Sequence, residues 1–134
     1  MGPEPVSDPS EANSALPTLS PVARQLLSFA ADDYTEVFAL RSFLQRLTGP
    51  LSPEAEKQAA LCTLHELLAL DLVRIGDMRR DVKGLTYWEG PVPHLMARLD
   101  AAWNPSTPPG MGESPWLDAT AQGKRLDATL RASS

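Results

Sequence analysis

Residues 53–88 read PEAEKQAALCTLHELLALDLVRIGDMRRDVKGLTYW. From Pro53 to Asp71 the pattern is a long amphipathic helix, with Ala60, Leu61, Leu64, Leu67 and Leu68 on its apolar face. It runs with little linker into Leu72-Val73-Arg74-Ile75, a strand pattern. A turn-rich charged loop follows from Gly76 to Gly84. Leu85-Thr86-Tyr87-Trp88 then gives a second short strand. Helix, strand, loop, strand in this order predicts an α+β domain with a small antiparallel hairpin. Ser52-Pro53 opens the helix, and Glu54 and Glu56 suit its first turn, where the helix dipole favours acids.

Upstream, Ser20 is a capping residue and Pro21 suits the first helical position. Val22, Leu26, Phe29 and Ala30 carry a helix to about Asp32. Asp33-Tyr34-Thr35-Glu36 has the spacing of a capping box and predicts the start of a second helix. Its stripe is Val37, Leu40, Leu44 and Leu47, widened by Phe38 and Phe43, and Gly49-Pro50 ends it.

Downstream, Gly90-Pro91 breaks the strand. Val92, Leu95, Met96, Leu99, Ala102 and Trp103 form a fourth amphipathic helix. Residues 104–115 are a Pro- and Gly-rich loop. Trp116-Leu117-Asp118-Ala119 reads as a third strand, and Thr120 caps a last helix bearing Leu126 and Leu130. The intervening helix and loop leave open whether this strand pairs with the hairpin.

The chain has 134 residues, enough for one domain, and 43% are hydrophobic, enough for a core. Pro3, Pro5, Pro9 and Pro17 crowd the start beside Glu4, Asp8 and Glu11, with no Lys or Arg. So polar a stretch cannot bury enough surface to order itself, and residues 1–18 are expected to be a disordered acidic tail, with residues 19–131 the folded domain. It lacks the basic start and apolar run of a signal peptide, and no apolar run is long enough for a membrane span. Cys62 is the single cysteine, which excludes an intrachain disulfide and points to the cytoplasm.

Net charge is −5, but it is segregated. Residues 32–71 hold seven acids against three bases. Residues 74–83 hold Arg74, Arg79, Arg80 and Lys83 against Asp77 and Asp81. Lys124, Arg125 and Arg131 outnumber Asp127 near the end.

Two segments resemble winged-helix proteins. Leu64-x-x-Leu67-Leu68-x-x-x-Leu72-Val73-x-Ile75-Gly76-Asp77 is similar to their recognition helix and first wing strand. Leu117-x-x-Thr120-x-x-Gly123-x-x-Leu126 is similar to the strand-to-helix junction that follows the wing in several bacterial regulators. The likeness covers about residues 21–90 and 116–127. It implies a winged-helix-like three-helix core with a small antiparallel wing, here with an extra helix inserted after the wing. A general likeness to small bacterial proteins that neutralise toxins adds a further functional class.

In the winged-helix family the third helix enters the major groove. Here its first turns carry Glu54, Glu56, Lys57 and Gln58. Two carboxylates facing phosphate argue against that use, since each basic contact contributes through counterion release and this helix offers one. Arg79, Arg80 and Lys83 on the wing are better suited to a phosphate backbone, or are plain solvated charges. Cys62 and His65 stand three apart, but a structural zinc site needs about four ligands. Cys62 is therefore expected to be a small buried apolar residue. Asp32, Asp33 and Glu36 crowd together as two carboxylates of an acid–base pair would, yet they read more simply as a helix end and a cap. No metal, cofactor or catalytic set is expected.

The sequence thus points to a non-catalytic binding module that docks onto another protein or pairs with itself. Its expected contacts are Glu54, Glu56, Lys57 and Glu66 on the third helix, Arg79, Arg80 and Lys83 on the wing, and Trp88 and Trp116 as aromatic anchors. Trp103, on the apolar stripe, is expected in the core. The alternatives are a dimeric winged-helix DNA-binding regulator and a toxin-neutralising protein.

Overall fold

In the computed structural model, residues 17–78, 84–107 and 114–133 are described. The expected acidic tail therefore falls almost wholly outside them, as do Arg79, Arg80 and Lys83. The described elements are α1 (Pro21–Asp32), β1 (Thr35–Glu36), α2 (Ala39–Thr48), α3 (Pro53–Ala69), β2 (Val73–Met78), β3 (Leu85–Tyr87), α4 (Val92–Ala102), β4 (Trp116–Ala119) and α5 (Ala121–Ala132). The four strands form one antiparallel sheet in the order β1-β4-β2-β3. Among the described residues no helix is long and apolar enough to cross a membrane.

Three helices start on side-chain caps of the expected kind. Ser20, Ser52 and Thr120 accept from the backbone N–H groups of Ala23, Ala55 and Gly123, each worth about 1 kcal/mol. The capping box at Asp33–Glu36 does not form. Thr35 and Glu36 are strand β1 instead, paired with Leu117 and Trp116, and α2 starts three residues later. The N–H groups just before it are met from far along the chain: Val37 N–H donates to the Pro115 carbonyl (2.8 Å) and Phe38 N–H to Ser114 Oγ (2.9 Å). The segment leading into β4, nearly eighty residues away, thus holds the entry to α2.

The passage from α3 into β2 is tight because Asp71 takes a left-handed backbone (φ 56°). Leu72 N–H then reaches back to the Leu67 carbonyl and Asp71 N–H to that of Leu68, the paired bonds of a Schellman stop. Asp is among the few side-chain-bearing residues that tolerate this conformation.

Leu26, Leu27, Leu40, Leu44, Leu64, Leu67, Leu72, Ile75 and Leu117 are fully buried, each worth roughly 1.5–3 kcal/mol. They come from α1, α2, α3 and one face of the sheet. Trp103 joins them at 2% exposure. Several apolar positions depart from expectation, Phe29 at 48% exposure among them. Leu47 is 46% exposed and rims an open groove with Val22, Ala59 and Cys62. Cys62 is exposed rather than buried, because the inward stripe of α3 runs through Ala60, Thr63, Leu64 and Leu67 and leaves position 62 on the other side.

Lys57 Nζ lies 2.6 Å from Asp100 Oδ1 and donates to the Asp100 carbonyl, tying α3 to α4. Arg131 on α5 reaches Asp127 (2.9 Å) on its own helix and Ser28 Oγ (2.6 Å) on α1. The helix α5 also docks closely on the junction between α3 and β2. A Cβ on Gly123 would collide with the Leu72 carbonyl oxygen.

Candidate docking face

The residues expected on α3 are mostly engaged within the chain. Glu56 is buried at 6% exposure and pairs with Arg41 at 2.8 Å. Lys57 holds Asp100. Glu66 accepts from the N–H and hydroxyl of Ser20. Only Glu54 is exposed without a hydrogen bond or ion pair among the described residues. Trp88 is half-buried, its indole N–H donates to Asp77 Oδ2 (2.9 Å), and the Arg98 guanidinium lies 3.8 Å over its ring. It ties α4 to the hairpin. The structure therefore does not gather these residues into one outward surface.

The sheet supplies another surface. Strand alternation sends Val73, Ile75, Leu117 and Ala119 into the core. Their neighbours, Arg74, Gly76 and Met78 on β2 and Trp116 and Asp118 on β4, point the other way. Arg74 stands opposite Asp118, and Gly76 stands between Trp116 on β4 and Tyr87 on β3. Trp116 and Tyr87 are half-buried, and Met78 is 40% exposed.

Gly76 shapes this face. The row Tyr87, Gly76, Trp116 has no side chain at its centre, so the Tyr87 ring can lie across β2. Its hydroxyl donates to Asp118 Oδ2 at 2.8 Å on the far strand. The Arg74 guanidinium stacks 3.6 Å from the ring centroid. Loss of solvent around the phenol, reinforced by the bond to Asp118, raises the Tyr87 pKa above its ordinary value, and Arg74 opposes this. Tyr34 adds a third aromatic at 38% exposure; its hydroxyl lies 3.0 Å from where a Gly84 Cβ would stand. Beside it, Asp32, Asp33, Tyr34, Asp118 and Lys124 line an open polar hollow.

The Arg74 side chain makes no hydrogen bond or ion pair among the described residues. The carboxylates nearby are engaged: Asp118 by Tyr87, and Glu36 by the Ser114 N–H (3.3 Å). Of the acidic trio read in the sequence, Asp32 pairs with Arg131 (3.3 Å) and Asp33 accepts from Tyr34 N–H (2.7 Å). No three His, Cys, Asp or Glu side chains gather where one ion could be held, among the described residues.

Of the expected contacts that fall among the described residues, Trp116 alone lies on this face. Arg74, Tyr87, Tyr34 and Met78 were not singled out as contacts. The signal was present in the alternation of Val73-Arg74-Ile75 and Leu117-Asp118-Ala119, which marks Arg74 and Asp118 as outward neighbours. No family model, curated protein or solved structure matches the chain.

Proposed function

We propose that the chain is a non-catalytic, cytoplasmic binding module that docks onto another protein through the outward face of its sheet. The observation that carries this reading is the face itself: Tyr34, Tyr87, Trp116 and Met78 share it with an arginine whose side-chain donors are unused among the described residues. Aromatic and arginine side chains of this kind dominate the binding energy of protein interfaces.

The winged-helix reading is supported by the order of three helices followed by an antiparallel hairpin. A departure from the expected plan is that β4 lies between β1 and β2. A DNA-reading role for α3 draws less support, because its exposed positions, Pro53, Glu54, Ala55, Gln58, Cys62, His65 and Ala69, include no Lys or Arg.

The test is affinity capture from the native host with the full chain and with a Tyr34→Ser/Met78→Glu variant whose folding is checked by circular dichroism. A stoichiometric protein partner should be recovered with the first and lost with the second. Equal recovery by both would remove the sheet face from the account. Self-association measured by sedimentation on the same pair decides whether that partner is a second copy. A salt titration with duplex DNA should show no binding even at low salt.

A further inference from the structure

We infer that Arg74 is the anchor of the docking face and that it receives a carboxylate from an acidic side chain of the partner. This rests on the docking reading and adds the chemistry of the group that is bound. Arg74 is exposed, and its guanidinium carbon lies over the Tyr87 ring, 3.6 Å from the centroid. A ring face takes up no N–H donor, so the fork is left to match the two oxygens of a carboxylate. The side chain is already restrained, so less freedom is lost when the contact forms.

The neighbouring acid does not neutralise it. Asp118 is the cross-strand partner of Arg74, yet no ion pair joins them; Asp118 takes the Tyr87 hydroxyl at 2.8 Å instead. Tyr87 therefore does two things at once. Its face carries the guanidinium, and its hydroxyl holds the cross-strand carboxylate, Asp118. Gly76 lets β3 lie this close to β2, since a Cβ there would collide with the Thr86 carbonyl and the Tyr87 Cα. Tyr87 is in these terms a positioning residue. A polyanion fits less well than a single carboxylate. A nucleic acid needs several cations together, and this chain carries −5 overall, with Asp118 and Glu36 on the same face.

The experiment selects binders to the full chain from a displayed library of random peptides and measures the winners in solution. The winners should share an Asp or Glu. Replacing that acid with its amide, or making Arg74→Gln, should each weaken binding about ten- to a hundredfold, with little further loss when both are combined. Tyr87→Phe should also weaken binding, by releasing Asp118 onto Arg74, and Tyr87→Phe/Asp118→Asn should recover it. Winners that need Tyr34 and Met78 but ignore Arg74 would overturn the carboxylate assignment and leave the docking face standing. A library that yields no binder to that face would overturn both. Displacement of the winners by single-stranded oligonucleotide, with steep salt dependence, would replace the acidic partner with a nucleic acid.

Discussion

Glu66 closes the first turn of α1 from the last turn of α3: it accepts the Ser20 backbone N–H at 2.7 Å and the Ser20 hydroxyl at 2.9 Å. An acid that the sequence offers as a partner contact is thereby a clamp between two helices. A carboxylate here meets both an open N–H and the positive end of the α1 dipole. Glu66→Ala should lower stability by about 1–2 kcal/mol in urea denaturation. An unchanged midpoint would show the clamp to be idle.

Arg41 and Glu56 form the most enclosed ion pair among the described residues, with Glu56 side-chain exposure of 8%. Arg41→Met leaves that carboxylate buried without its counter-ion, and should cost about 2–4 kcal/mol. Arg41→Met/Glu56→Leu should recover most of the loss. Failure of the double variant to recover would mean that packing of the arginine stem, not charge, sets the effect.

Gly123 sits in the first turn of α5, where alanine is ordinarily the better helix former by about 1 kcal/mol. The close approach of the Leu72 carbonyl reverses the sign. Gly123→Ala should lower the melting temperature, at a cost of roughly 1–3 kcal/mol. A gain in stability would mean that α5 can shift away from β2 cheaply.

Trp103 is 2% exposed, and its indole N–H meets no acceptor among the described residues. An unmet buried donor is itself destabilising by about 1–3 kcal/mol. Trp103→Phe removes it while keeping most of the apolar bulk, so its net effect should stay within about 1 kcal/mol. Trp103→Ala should cost about 3–5 kcal/mol. A large loss for the Phe variant, measured by denaturation, would show that ring volume outweighs the orphan N–H.

Tyr87 gives a signature in alkali. Burial raises its pKa and the Asp118 bond adds to the shift. The unfolded chain releases this proton near its ordinary value of about 10, before the folded chain does. The stability that Tyr87 confers is therefore whole below about pH 10, and it is lost as pH rises through the folded value. Denaturation between about pH 9 and 11.5 should show stability falling more steeply in the wild type than in Tyr87→Phe. Parallel slopes would remove this account of the phenol.

Most helices were legible because their signals are local. Ser20-Pro21, Ser52-Pro53 and Thr120 are caps that the chain carries beside the helices they start, and the leucine spacing of α3 identifies its buried face. What was not legible depends on residues far apart. Thr35 and Glu36 carry a sound capping-box pattern, but Leu117 and Trp116 recruit them into a strand. Glu56 and Glu66 look like surface acids until Arg41 and Ser20 are brought beside them. The pairing of Tyr87 with Asp118 needs the register of three strands at once, and alternation alone gives only which residues share a face. Charge counts along the chain likewise described an acidic helix whose acids, Glu54 excepted, turn out to be structural.

Placing β4 between β1 and β2 has a consequence for the nascent chain. Until residue 119 has left the ribosome, β1 has no neighbour and β2 has only its hairpin mate. The helices α1, α2 and α3 can associate early, since their contacts are nearer in sequence, but the sheet must wait for its central strand. Synthesis halted before Trp116 would yield a sticky partial bundle, with Ile75 and Val73 uncovered on one side, and such a species would invite chaperones rather than partners.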